Sequence, residues 1–131
     1  MEEERLRLLV VDDDEEARQT YQRGLTPRYD VAIAAGVGEA LEILGAGPPF
    51  DVVVSDDRMP DGRGVDLLRQ VAEKTPATVR LLLTGYAPLG VGGLLTTGVI
   101  HSILHKPLLP SELEARVADE LAFRRSLSRE R

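Results

Sequence analysis

The sequence predicts an α/β domain of five strand–helix units, (βα)5, built on a parallel sheet with right-handed crossovers. Two observations predict it. Short apolar runs, Leu6–Val11, Val52–Val54 and Val79–Leu83, each stop abruptly in polar residues: Asp12-Asp13-Asp14, Ser55-Asp56-Asp57 and Thr84-Gly85. Runs without polar alternation suit strands covered on both faces, as in a parallel sheet flanked by helices. The second observation is that stretches with helical spacing lie between these runs.

In chain order, Leu6–Val11 is the first strand, and Glu15–Arg23 follows as a helix whose acidic start suits the positive end of a helix dipole. Asp30–Ala34 is a weaker strand candidate. Glu39–Leu44 carries Ala40, Leu41, Ile43 and Leu44 at helical spacing and stops at Gly45-Ala46-Gly47-Pro48-Pro49. Val52–Val54 is the third strand. Val65–Lys74 puts Val65, Leu68 and Val71 on one face, with Leu67 beside them. Val79–Leu83 is the fourth strand. Pro88–Gly98 stands where a fourth helix belongs, yet it contains Gly90, Gly92, Gly93 and Gly98. Each interior glycine costs about 1 kcal/mol relative to alanine, so this helix is expected to be short, irregular or mobile. Ser102–Leu104 is the fifth strand. The last helix is expected to open at Pro110-Ser111, with Glu114 completing a capping box, and Leu113, Val117 and Leu121 form its apolar stripe. Gly62 and Gly64 read as turn glycines with positive φ.

At 131 residues the chain suits one domain with a core that needs no staples. It has no cysteine, which excludes a disulfide scaffold and a thiolate zinc site and fits a reducing compartment. No apolar run approaches membrane-spanning length, and Met-Glu-Glu-Glu-Arg is the opposite of a basic signal-peptide start. A cytoplasmic protein is expected. The net charge of −6 repels phosphate backbones, so neither nucleic acid nor membrane is an expected partner.

Ligands of open parallel sheets sit outside the carboxyl ends of the strands. Here those ends deliver Asp12 and Asp13, Asp56, Thr84 and Lys106. Three carboxylates in one cleft repel one another, so they protonate or hold a cation. A hard divalent ion with oxygen ligands, Mg²⁺ above all, resolves the conflict. A carboxylate can then attack phosphorus and form an acyl phosphate, with metal and ammonium neutralising charge. His101 and His105 have no partners at metal-binding spacing and read as structural or exposed.

Val10-Val11-Asp12-Asp13, Ser55-Asp56-x-Arg58-Met59-Pro60, Leu82-Leu83-Thr84-Gly85 and His105-Lys106-Pro107 resemble the receiver domain of two-component response regulators. The resemblance covers about Leu6 to Leu121. It implies a flavodoxin-like fold with strand order 2-1-3-4-5. It implies that Asp56 is the phosphoacceptor, and that Asp12, Asp13, Asp56 and the backbone carbonyl of Arg58 hold Mg²⁺. Thr84 would be the switch hydroxyl, and Lys106 would pair with the phosphoryl group and precede a cis bond to Pro107. The acidic neighbours Asp56 and Asp57 point to opposite sides of a strand, so only one enters the cleft. The Met59-Pro60 register of the family selects Asp56. Asp14 reads as a helix-start residue.

The family often carries Tyr or Phe where this chain has Ile103, an aliphatic side chain without the aromatic ring of the usual coupling to the threonine. Arg58 and Tyr86 are bulky and positioned to hinder an attacking water, which predicts slow autodephosphorylation. The surface of helix four, strand five and helix five, with Ile103, Leu108 and Leu109, is the family's common partner face and is unusually apolar here. Residues 1–122 form the receiver domain. Residues 123–131 extend the last helix as a linker, with Phe123 and Leu127 off the core stripe, toward an output domain or a dimer partner. The implied donor is a sensor histidine kinase or phosphotransfer protein. The chain is expected to catalyse its own phosphorylation and dephosphorylation and nothing further. A pseudo-receiver used only for contacts and an aspartyl-phosphate phosphatase, whose motif Asp12-x-Asp14 faintly resembles, are the alternatives.

Overall fold

Five parallel strands form the central sheet of the computed structural model, which describes residues 5–85 and 92–129. They are β1 (Arg7–Val11), β2 (Asp30–Ala34), β3 (Val52–Asp56), β4 (Val79–Thr84) and β5 (Ser102–His105). Their spatial order is 2-1-3-4-5. The helices between them are α1 (Glu15–Leu25), α2 (Val37–Gly45), α3 (Gly64–Lys74), α4 (Gly92–Thr96) and α5 (Pro110–Arg129). This is the predicted (βα)5 arrangement, with the flavodoxin-like order that the resemblance implied.

Strand alternation sorts the core into two layers. Leu8, Val10, Val52, Val54, Leu81, Leu83 and Leu104 face α1 and α5, where they meet Tyr21, Leu25, Leu113 and Val117. Leu9, Val11, Val53 and Leu82 face the other side and pack with Ala40, Leu67, Leu68 and Val71 from α2 and α3. Leu94 of α4 joins this second layer. Because both faces of β3 and β4 are covered, their sequences are continuously apolar, and this is why those two strands were the most legible. β2 is an edge strand with only Ala34 buried, which explains its weaker signal.

Local chemistry sets the helix ends. Asp14 is the N-cap of α1, accepting from the Glu16 N–H at 3.1 Å, with Glu15 and Glu16 in the first turn and Arg23 in the last. This is the helix-start role expected of Asp14. The cap of α2 comes from another loop. Asp61 accepts from the Val37 and Gly38 N–H groups, each at 2.9 Å.

Two sequence expectations need correction. The capping box of α5 is not Ser111 with Glu114. The helix begins at Pro110, whose missing N–H costs nothing at the first helical position. The reach-back carboxylate is Glu112, which accepts from the Leu109 N–H at 2.8 Å, while Glu114 pairs with Arg28 at 3.0 Å. The second correction concerns the glycines after Pro60. Gly62 has the expected positive φ of 154°, but Gly64 does not. Gly64 is required because a Cβ there would overlap the Asp56 carbonyl oxygen.

Pro88 to Val91 and Tyr86 lie outside the described residues, so the expectation for helix four is met only for the short Gly92–Thr96. α5 continues without a break past residue 122, and Phe123 and Leu127 stand 53 % and 41 % exposed. Among the described residues, no helix is long and apolar enough to cross a membrane.

Candidate functional site

The same alternation that builds the core aims the charged groups. Asp12 lies two residues beyond Val10, Asp56 two beyond Val54 and Lys106 two beyond Leu104, and all three of those apolar residues face α1 and α5. Val10 pairs with Val54 in the β1–β3 register, so the two aspartates leave adjacent strands side by side. Period-two geometry therefore carries Asp12, Asp56 and Lys106 to one side of the sheet's carboxyl edge.

There they meet. Lys106 Nζ lies 2.9 Å from Asp12 Oδ2 and 3.5 Å from Asp56 Oδ2. Carboxylate oxygens of Asp12, Asp13 and Asp56 all lie within 4.8 Å of one another. Asp12 is buried, Asp13 exposed and Asp56 only 12 % exposed at its side chain. A half-buried ring of carboxylate oxygens open to water on the Asp13 side matches a hard, oxygen-liganded cation that keeps part of its hydration. These donors fit a metal of that class.

Electrostatics separate the roles of the charged groups. Burial pushes the Asp56 carboxyl up from 3.8 to about 6; Lys106 pulls it down, and Asp12 pushes it up. Burial also opposes the charge of Lys106, but its hydrogen bond to Asp12 and the charges of Asp12 and Asp56 outweigh this, so the ammonium is held above its ordinary range. The site thus contains a fixed cation beside a carboxyl poised near neutrality.

Asp57 takes no part in this cluster. It is buried on the other side of β3 and paired with Arg63 at 2.8 Å. Only one of the two adjacent aspartates enters the cleft, and it is Asp56. Thr84 closes β4, buried, and its carbonyl accepts from the Lys106 N–H at 2.9 Å. Among the described residues, a Cβ at Gly85 would meet nothing within 4 Å. Arg58 sits in a two-residue antiparallel ladder, Arg58–Met59 against Gly62–Arg63, immediately beyond Asp56 and Asp57. Tyr86, the other bulky residue expected to slow hydrolysis, lies outside the described residues. The Lys106–Pro107 bond is cis, as expected.

Ile103 is half-buried and packs against the α2/α3-side core, while Leu109 is exposed. His105 is exposed. His101 is structural: the Arg80 N–H donates to its Nδ1 at 2.9 Å, and burial with the nearby Arg80 charge holds its pKa down to about 4.

Several supporting contacts escaped sequence reasoning. Arg18 Nη1 donates to the Asp12 carbonyl at 2.8 Å. The Asp14 N–H donates to Asp12 Oδ1 at 3.0 Å, orienting that carboxylate. Tyr21 donates its hydroxyl to the Leu108 carbonyl at 2.8 Å, tying α1 to the loop after Lys106. The only sequence trace of Tyr21 is a polar-tipped ring on the buried side of a helix, too common a pattern to select it.

Comparison with known proteins agrees with this geometry. The profile of the response regulator receiver domain matches residues 8–118. The response regulator protein PilR of Pseudomonas aeruginosa is 32 % identical over 121 residues, covering 92 % of this chain and 27 % of PilR. The sensor kinase CckA of Brucella abortus is 34 % identical over 116 residues, 87 % of this chain and 12 % of the kinase. A CheY-like receiver domain from Methanospirillum hungatei superimposes with a TM-score of 0.86 at 27 % identity, covering 94 % of this chain and 98 % of that one. The chain spans about a quarter of the length of curated relatives such as PilR. With the sheet order, the acidic cluster and the lysine in place, the chain belongs to the response regulator receiver domain family.

Proposed function

We propose that Asp56 accepts a phosphoryl group from a phosphohistidine and that the resulting acyl phosphate switches the surface around Thr84, β5 and α5. The observation that carries this reading is Lys106 bridging Asp12 and Asp56 beside the exposed Asp13. Asp12, Asp13, Asp56 and the Arg58 carbonyl would hold Mg²⁺, which when bound would supply charge neutralisation for the oxygens around the transferring phosphorus.

The chain's own groups do the rest. Asp56, as carboxylate, attacks phosphorus; the bond from phosphorus to the donor histidine nitrogen breaks, and its electron pair stays on the imidazole, which takes up a proton. Lys106 exchanges its contact with Asp56 for one with the phosphoryl oxygens. The Thr84 hydroxyl donates to the same oxygens, drawing the end of β4 inward and shifting an existing equilibrium between two arrangements. Gly85 leaves room for the group to enter. Arg58 and Tyr86, bulky residues two positions after Asp56 and Thr84 in the sequence, are the basis for a slow hydrolysis and a long-lived acyl phosphate.

The donor is a sensor histidine kinase or phosphotransfer protein in the cytoplasm. The recipient of the signal is an output domain or second copy of the chain reached through the α4–β5–α5 face or the exposed end of α5. Incubation with acetyl phosphate and Mg²⁺, followed by intact-mass measurement, tests the reading. One phosphoryl adduct that is absent from Asp56→Asn is expected; an adduct of equal yield in that variant would overturn the assignment.

A further inference from the structure

Asp57 is a buried carboxylate that phosphoryl transfer, as proposed above, does not use. Its side chain is only 2 % exposed. An isolated charge in such a place is costly unless it is paired and hydrogen-bonded. Arg63 supplies both needs through two parallel bonds, Nε to Oδ1 at 3.2 Å and Nη2 to Oδ2 at 2.8 Å. The Arg63 side chain is 48 % exposed, so it closes over the carboxylate from the solvent side.

Residue 57 is also gripped through its backbone. Its N–H donates to Asp56 Oδ1 at 2.9 Å, and its carbonyl accepts from the Gly64 N–H at 2.6 Å. The first of these bonds points one oxygen of the Asp56 carboxylate, leaving Oδ2 for the Lys106 side. The ion pair spans the ladder in which Arg58 faces Arg63, so it also ties the two ends of the segment that carries the Arg58 carbonyl.

We propose that Arg63 is a positioning residue for phosphoryl transfer. It keeps Asp57 in its buried seat, and Asp57 in turn holds the Asp56 carboxylate and the Arg58 backbone in register. Arg63 touches none of the reacting atoms. Without it, Asp57 is an unpaired charge that turns toward water, and its N–H leaves Asp56. The inference rests on Asp56 as the acceptor, and the test separates the two.

The test is the rate of adduct formation from acetyl phosphate at saturating Mg²⁺, read by intact mass, with the thermal midpoint measured alongside. Asp56→Asn reports on the acceptor alone. Arg63→Met is expected to form the same single adduct about 10- to 100-fold more slowly, the usual cost of losing a group that orients a reacting one. Asp57→Val/Arg63→Met is expected to recover most of the rate, because valine stays in the buried seat without a charge and the backbone N–H is retained. Arg63→Lys keeps the charge but not the fork, and falls between. A wild-type rate in Arg63→Met would overturn the proposal. So would a double variant as slow as the single, because the defect would then not run through Asp57. If Arg63→Met does not fold, Arg63→Lys decides: a wild-type rate there overturns the proposal equally. A wild-type chain that forms no adduct would instead overturn the reading of Asp56.

Discussion

Replacing Asp56 by asparagine should stabilise the metal-free domain, although it abolishes the proposed reaction. Burial raises the Asp56 carboxyl from 3.8 to about 6 despite the nearby Lys106 ammonium. A folded-state pKa above the unfolded value means that the folded chain holds the proton more tightly. At neutral pH both states are ionised, and the folded state bears the full cost of the charge, about 3 kcal/mol. Asparagine has nearly the same shape and no charge, so it removes this cost. Lys106 is not orphaned, because its bond to Asp12 at 2.9 Å remains. For a chain of this size the gain corresponds to a rise of roughly 10 °C in thermal midpoint. The pH dependence fixes the sign. The gain is full above about pH 7, shrinks as pH falls through about 6, and vanishes below 3.8, where both states are protonated. Urea unfolding in the presence of a chelator, at pH 7 and pH 4, measures it. Adding Mg²⁺ should reverse the order, because the wild type binds the cation with one more carboxylate. A variant no more stable than wild type at pH 7, or equally stabilised at both pH values, would refute the reasoning.

Lys106→Met removes the cation that bridges Asp12 and Asp56; adduct formation should fall roughly 100-fold, with Asp56 still the site. Gly64→Ala drives a methyl group against the Asp56 carbonyl, so unfolding should cost about 1–3 kcal/mol less and the adduct rate should fall with it. The double substitution Arg58→Ala/Tyr86→Ala opens the approach of water and should shorten the lifetime of the acyl phosphate, followed by loss of the adduct mass; an unchanged lifetime would show that these side chains do not shield it.

The sequence was most informative where two independent constraints coincide. β3 and β4 are covered on both faces, so they read as unbroken apolar runs that end at Asp56-Asp57 and at Thr84, and the choice of Asp56 over Asp57 came from the family resemblance. Lys106 was legible because it follows a strand and precedes a proline, although its contact with Asp12 joins opposite ends of the chain. Asp14 was legible because capping is local. What stayed hidden depends on contacts between segments. Asp61 caps a helix that precedes it by more than twenty residues, and nothing near either residue signals the pairing. Gly64 looked like a turn glycine because sequence does not distinguish a special φ from a close approach. Ser111 and Glu114 have capping-box spacing, yet Pro110 already starts the helix and Glu112 is the carboxylate within reach of the Leu109 N–H. Arg63 carried a faint signal, a cation six residues after an aspartate, that acquires meaning only when Asp57 is seen to be buried.

The central claim is that Asp56, and not its neighbour Asp57, carries the phosphoryl group. Borohydride converts an acyl phosphate to the corresponding alcohol, so reduction of the phosphorylated chain followed by peptide mapping marks the acceptor with homoserine. Homoserine at position 56 with intact aspartate at 57 is the predicted result. Homoserine at position 57, or an acyl phosphate distributed between the two, would contradict the account.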